Sequence, residues 1–381
     1  MKNLETLIQE LCPNGVEFVK LGDCCTFKRG MTITAKNAIP GDVPVLAGGQ
    51  KPAYYHNVAN RTGETIVVAG SGAYAGFVSY WTVPVFLSDS FSVEPDDRLV
   101  VKFVYYFLKN IQQKIFATKK GSGVPHVHGS SIEKFEIPLP PIEVQTEIVR
   151  ILDKFTSLEA ELEAELDCRK RQYEYYRDKL LSFDNVGGQE VTISKIGDIG
   201  RICMCKRIMK NQTNSESGIP FYKIGTFGKV ADAYISNDVY EEYKKLYSYP
   251  KKGDILMSAS GTIGRTVVFN GKPSYFQDSN IVWVDNDETK VFNSYLNYYY
   301  QIIEWKTQGG TIKRLYNNLL AGATIKYPSL EEQHRIVSIL DRFESLTTSL
   351  QSGLPAEIAA RRQQYEHYRD KLLTFKRKGA A

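Results

Sequence analysis

The sequence has no uninterrupted apolar run near the ~18 residues that a membrane-crossing helix needs. Its start, Met1-Lys2-Asn3-Leu4-Glu5, carries no apolar core of a secretory signal. The six cysteines, Cys12, Cys24, Cys25, Cys168, Cys203 and Cys205, form no C-x-x-C pair and stand at no zinc-finger spacing from a histidine. Disulfide scaffolds, zinc fingers and membrane spans are therefore excluded, and reduced thiols of a cytoplasmic protein are expected. There is no G-x-x-x-x-G-K-[ST] phosphate loop and no glycine fingerprint of a dinucleotide fold. The tetrapeptide [DNS]-P-P-[YFW] of amino-methyltransferases is missing too, because Leu139-Pro140-Pro141-Ile142 does not match it. Asp278 with Glu288-Thr289-Lys290 has the spacing of a metal-nuclease set, but nothing matches it earlier in the chain, so it reads as a charged turn. His126 and His128 lack a Cys or carboxylate cluster to complete a metal site. No catalytic residue and no metal ligand is expected in this chain.

What is present is ordinary globular composition. The 381 residues are 24% charged and 43% hydrophobic, which suits two or three domains, each with its own core. The dominant feature is that the chain is written twice. Pro141-Ile142-Glu143-Val144-Gln145, running on through Ile148, Leu152 and Phe155, matches Ser329-Leu330-Glu331-Glu332-Gln333, running on through Ile336, Leu340 and Phe343. Tyr173-Glu174-Tyr175-Tyr176-Arg177-Asp178-Lys179-Leu180-Leu181 matches Tyr365-Glu366-His367-Tyr368-Arg369-Asp370-Lys371-Leu372-Leu373. The offset grows from 188 to 192, so the second copy has four extra residues, placed near Ser352-Gly353-Leu354-Pro355. Weaker matches precede both copies. Lys20-Leu21-Gly22-Asp23 parallels Lys195-Ile196-Gly197-Asp198, and Asp89-Ser90 parallels Asp278-Ser279. The order is variable module, constant segment, variable module, constant segment.

The constant segments carry apolar side chains at steps of three or four. In the first these are Ile148, Leu152, Phe155, Leu162, Leu166, Tyr173, Tyr176 and Leu180. In the second they are Ile336, Leu340, Phe343, Leu350, Tyr365, Tyr368 and Leu372. The spacing predicts long helices with a heptad-like seam. Pro140 and Pro141 suit a helix start, and Pro355 is expected to break or kink the second helix. A helix of ~43 residues at ~1.5 Å each spans ~65 Å, and its apolar stripe needs a partner. The other copy supplies one, so an antiparallel, pseudo-twofold pair is expected.

The variable modules read as mixed α/β. Thr65–Val68 and Thr266–Phe269 are strand-like, and Phe103–Phe116 and Phe292–Trp305 read as one packed helix each. Charge favours the modules as the surface for a polyanion. Residues 141–183 have seven Lys/Arg against ten Asp/Glu, and residues 329–375 have six against seven. The overall +5 therefore leaves +9 on the rest of the chain. Cations, hydroxyls and glycines recur at matching places. Lys28 and Arg29, then Tyr54 and His56, lie early in the first module, and Lys206 and Arg207 lie early in the second. Ser71 and Tyr74 occupy one Gly/Ser loop, and Ser260, Thr262 and Arg265 occupy its counterpart. Lys119, Lys120, Ser122 and His126 stand in a later loop of the first module, with Lys306, Thr311, Lys313 and Arg314 as their counterparts. These residue types contact phosphates and base edges, and glycine lets a backbone come close to a ligand.

Pro138-Leu139-Pro140-Pro141-Ile142-Glu143-Val144-Gln145, Leu11-Cys12-Pro13-Asn14-Gly15 and the duplicated layout together resemble the specificity subunits of type I restriction–modification systems. The resemblance covers the full chain. It implies a first target recognition domain over residues 1–140 and a central conserved helix over 141–184. A second target recognition domain over 185–328 and a C-terminal helix with a basic tail over 329–381 follow. It implies double-stranded DNA as ligand and two modification subunits as partners, with S-adenosylmethionine bound by them for N6-adenine methylation. Restriction subunits would use ATP and Mg²⁺. The chain itself would be non-catalytic, hold no cofactor and touch no membrane. Two other classes fit the residues alone: a coiled-coil scaffold joining protein-binding modules, and a single-chain nuclease or methyltransferase.

Overall fold

The structure is a computed structural model that describes residues 4–183, 190–310, 313–349 and 351–379. The chain forms two compact units. One combines Met1–Ala164 with Glu357–Ala381, and the other is Glu165–Ala356. Both are mixed helix and sheet.

In the first unit, strands run antiparallel in the order Cys25–Arg29, Ser90–Pro95, Thr65–Ala69, Val78–Trp81. Thr65–Ala69 is buried throughout, as a short continuous apolar run predicts. A second sheet joins Tyr54–His56, Val43–Leu46 and Phe86–Leu87, with the last pair parallel. A ribbon pairs Glu17–Lys20 with Glu136–Leu139. Helix α1 (Val101–Asn110) buries Phe103, Val104, Tyr106, Phe107 and Leu108 in the same core. Helix α2 (Ile142–Ser182) follows Pro140-Pro141, where a missing N–H costs least.

The second unit repeats this plan. Its four-stranded sheet is ordered Gly200–Cys203, Ile281–Asn286, Ile255–Ser258, Thr266–Val268, and its ribbon pairs Thr192–Lys195 with Thr324–Tyr327. Ile219–Tyr222 pairs in parallel with Tyr275–Phe276, as Val43–Leu46 does with Phe86–Leu87. Helix α3 (Asn293–Tyr299) takes the place of α1. Helices α4 (Leu330–Thr348) and α5 (Gly353–Leu372) make up the second constant segment.

The registers correct one alignment made from sequence. Ala69 pairs with Ser90, and Ser258 pairs with Ile281, so the residue equivalent to Asp89 is Asn280 and not Asp278. The expected long helices of the modules are also shorter. Ile111 interrupts the first between Val101–Asn110 and Gln112–Ala117. The second ends at Tyr299, and Trp305 then lies against Tyr300 and over Gly264, where an added Cβ would come within 2.5 Å of the indole nitrogen. Aromatic cover of that turn prevails over further helix.

The seam residues serve two purposes. Ile148 and Leu152 are fully buried in the first unit's core, and Ile336 and Leu340 in the second's. Each such side chain stabilises by about 1.5–3 kcal/mol. Helix pairing occurs within each unit. In the first, Phe155 stacks on Tyr368 at 5.4 Å, and Arg362 bridges Glu159 and Glu163, which makes α2 and α5 antiparallel. In the second, Tyr176 stacks on Phe343 at 5.8 Å, while Tyr173 reaches Gln301 at 3.2 Å. Tyr365, Leu372 and Leu180 are partly buried against the cores. Leu162 and Leu166 are half-buried, and Leu350 lies outside the described residues. The Arg362 bridges are half exposed and contribute about 0–1 kcal/mol each, so burial rather than charge anchors the helix ends.

Pro355 is not the breaker. α4 ends at Thr348 and α5 starts at Gly353, so Pro355 falls in the first turn of a new helix, where its ring fits. Gly353 has φ 79°, and a Cβ there would meet the Leu346 carbonyl at 2.7 Å. The glycine, and not the proline, is required at the break.

Candidate nucleic-acid interface

Each module is fixed to its helix by one glutamine. Gln145 is fully buried, accepts from Val100 N–H at 2.8 Å, and donates to the carbonyls of Arg98 and Pro140 at 2.9 and 2.8 Å. Gln333 is also fully buried, accepts from Phe292 N–H at 3.0 Å, and donates to Lys290 and Pro328 at 2.9 Å each. A second pair of bonds repeats the pattern. Tyr106 donates to Asp153 at 2.5 Å, and Tyr298 donates to Asp341 at 2.6 Å and to Glu344 at 2.8 Å. Burial, then the facing carboxylates, push both tyrosines well above the usual phenol range, so they stay protonated donors. Neither glutamine stands out as functional in the sequence. The signal was their shared place in the duplicated segment.

At the first module's loops, Ser71 hydrogen-bonds Asp89, whose carboxylate also faces Arg29 at 4.0 Å. Val127 N–H donates to Gly70 O at 2.9 Å, and Lys120 and His126 exchange two backbone bonds at 2.9 and 2.8 Å. Lys119 reaches the Ala73 carbonyl at 3.2 Å, and Gly48 lies against Ser71. Loops 47–51, 70–76 and 119–128 thus converge with Arg29. A 210 Å³ pocket there is lined by Arg29, Gly70, Asp89, His126 and His128 among others. Lys28, Tyr74, Lys120, Ser122 and His126 are exposed, although Lys28 is paired with Glu94. The His126 and His128 rings stack with centroids 6.3 Å apart.

The second module builds the same seat. Arg314 and Gln308 exchange backbone bonds at 2.8 and 3.0 Å, and Leu315 N–H donates to Ala259 O at 2.9 Å. Ser260 donates to Asn280 at 2.7 Å, and Arg314 donates to the same oxygen at 2.7 Å. A 470 Å³ cleft is lined here by Arg207, Lys210, Lys223, Gln277, Asp278 and Arg314 among others. Lys206, Thr262, Lys306 and Lys313 are exposed, and Thr311 lies outside the described residues.

Four of the residues singled out from sequence make contacts within their own module. His56 is 8% exposed, and its ring nitrogen meets the Ile39 backbone while the ring packs edge-on against Phe86. Tyr54 gives its hydroxyl to Ile33 O at 2.6 Å. Arg265 lies over Phe227 at 5.4 Å and reaches Ile224 O. Ser260 is 6% exposed and donates to Asn280. The two Gly/Ser loops are tight turns between core strands, closed by Gly76 N–H to Ala69 O and by Gly264 N–H to Ser258 O. Matching by letters pairs Asp89 with Asp278 and passes over Asn280, which only the strand register identifies. All six cysteines are free, and only Cys168 is exposed. No described helix is long and apolar enough to cross a membrane.

Comparison with known proteins agrees with this geometry. The family described as type I restriction modification DNA specificity domain matches twice, at residues 13–167 and 188–360. A Haemophilus influenzae protein described as a type I restriction enzyme specificity subunit is 44% identical, over 98% of this chain and 100% of that protein. The specificity subunit of the Escherichia coli type I restriction enzyme EcoR124I/EcoR124II is 32% identical over 74% of this chain and 72% of its own length. In fold, the chain matches a crystal structure of the type I restriction–modification S subunit from M. genitalium with TM-score 0.58 and 17% identity, covering 94% of this chain and 96% of that one. The two family matches fall on the two repeated halves, and the chain belongs to the DNA specificity subunits of type I restriction–modification systems, the non-catalytic components that give such a complex its DNA recognition.

Proposed function

We propose that each module reads one half of a bipartite duplex site, and that the constant helices set the gap between the halves and dock two modification subunits. Those subunits would bind S-adenosylmethionine and methylate adenine N6 on a base flipped into their own pocket, so this chain needs no reacting group. Restriction subunits would add ATP- and Mg²⁺-dependent translocation and cleavage. The module limits follow the repeat: 1–140 and 185–328 as readers, 141–184 and 329–381 as helices and tail. The observation that carries this reading is the twice-built seat, in which the same backbone pinch presents different side chains, Asp89 and His126 in one module and Asn280 and Arg314 in the other. Exposed Lys120, Lys306 and Lys313 beside these seats suit phosphates. The 41 residues of α2 at ~1.5 Å each span roughly two ~34 Å turns of B-DNA, which suits a ruler.

Exchanging residues 19–137 for those of another specificity subunit should change one recognised half-site and leave the other and the gap intact. Genome-wide mapping of methylated bases reads this directly, and an unchanged motif would reject the module assignment. Lys120→Ala combined with Lys313→Ala should weaken DNA binding by the complex and lower the slope of log affinity against log salt by about 2. A slope equal to wild type would remove both lysines from the phosphate contacts.

A further inference from the structure

We propose that Arg314 reads a guanine in the half-site of the second module, with Asn280 holding the guanidinium in place; this rests on the DNA-reading role given above. Three features single Arg314 out from the other cations. The first is rigidity. Its own backbone is bonded on both sides to Gln308, and the next residue is bonded to Ala259. Its Nη2 donates to Asn280 Oδ1 at 2.7 Å, and that oxygen is itself held by buried Ser260 at 2.7 Å. The second is charge. Arg207 is paired with Asp278 at 2.9 Å and Lys223 with Asp232 at 2.9 Å, so a carboxylate already engages the donors of each, and Lys210, which also lines the cleft, offers a point charge without a planar fork. Arg314 is held by a neutral amide, which fixes its direction and leaves its charge intact. The third is donor capacity. Its Nε and Nη1 have no partner among the described residues, and Nη2 keeps one of its two N–H groups beyond the one given to Asn280, so one two-donor edge, Nη2 with Nη1 or Nη2 with Nε, is open where the side chain lines the 470 Å³ cleft. A planar fork with free donors matches the O6 and N7 acceptors of guanine in the major groove.

The backbone supports this placement. Ser279, directly before Asn280, has φ 54°, a left-handed value that costs a non-glycine residue energy. Such strain persists where the surroundings impose it, and it gathers at binding sites. The seat of the first module has the opposite chemistry. Asp89 is a carboxylate that only accepts, and His126 replaces the arginine. The two seats therefore offer different groups to base edges from one scaffold, and the guanine assigned to Arg314 lies in the half-site of the second module.

The test maps methylated motifs in cells carrying the intact system with wild-type chain, Arg314→Ala or Arg314→Gln. Arg314→Ala should make one guanine position degenerate in one half-site, with modification of the native site reduced roughly 10- to 100-fold. Arg314→Gln should shift that position toward adenine. The other half-site and the gap should stay as they are. The assignment is overturned if active variants keep both half-sites, if the degenerate position is an A·T pair, or if modification falls evenly with the motif retained. A measurement on the wild-type complex covers variants that fail to fold: duplexes with 7-deazaguanine at each guanine in turn, read by fluorescence anisotropy. One guanine in the half-site that stays unchanged when residues 19–137 are exchanged should lose about tenfold in affinity, and no sensitive guanine in that half-site would overturn the proposal. Binding to no duplex at all would instead reject the DNA-reading role itself.

Discussion

Replacing Gln145 or Gln333 with leucine is expected to cost about 3–5 kcal/mol in the unit that carries it. Leucine nearly conserves volume, so the loss is chiefly polar. In Gln145→Leu, the Val100 N–H and the carbonyls of Arg98 and Pro140 lose the side-chain partner they share, fully buried at the Pro140 bond and partly buried at the other two. Each orphaned group costs about 1–3 kcal/mol, partly offset by the gain in apolar contact. Gln333→Leu repeats this at Phe292, Lys290 and Pro328. Chemical denaturation of the full chain, followed by a probe in each unit, should show one transition moved and the other nearly unmoved. A change below about 1 kcal/mol would show that water replaces the amide freely, and the clamp would lose its importance. The clamp matters for function because it joins the start of α1 or α3 to the first turn of the following constant helix. A reader free to tilt on that helix could not hold a base-pair gap.

The second large effect is expected at Gly48. An added Cβ would lie 2.2 Å from the Ser71 carbonyl oxygen, and that oxygen belongs to backbone rather than to a yielding side chain. Gly48→Ala must therefore push loop 47–51 away from loop 70–76, at about 1–3 kcal/mol for overpacking. The convergence of loops around Asp89 opens with it. Affinity of the complex for DNA with the native first half-site should fall at least tenfold, about 1.4 kcal/mol, while changes to the second half-site should have their usual effect. Wild-type affinity in Gly48→Ala would show that loop 47–51 lies off the reading face.

The frame of the molecule was legible in the sequence because it is repeated. Ile148 and Leu152 recur as Ile336 and Leu340, and all four are buried as the three-and-four spacing requires. The strands Thr65–Ala69 and Thr266–Val268 followed from β-branched runs. The site was less legible, because strand register decides which residue faces which. Asp89 and Asp278 look equivalent as letters, but pairing of Ser258 with Ile281 moves the equivalence two residues along, to Asn280. Nor does composition separate a histidine that packs on Phe86 from one that faces solvent, as His56 and His126 show. Pro355 departs from its sequence expectation for a related reason. Whether a proline breaks a helix depends on which turn it occupies, and Gly353 had already set that turn.

The first unit is completed late. Val16 receives its partners from Lys376 and Lys378, at 2.8 and 2.9 Å, and Arg377 ties to Glu136 at 2.7 Å. Those residues leave the ribosome only after the whole contiguous stretch 165–356 has been made. The second unit can close its core during translation, while the first must wait with the edge around Val16 uncovered. Most of the first reader's core lies before residue 153 and can collapse early, so what arrives late is its last cover, Leu373 in the core and the strand edge at Val16, and a nascent-chain protease or holding chaperone would find that edge open until the chain is finished.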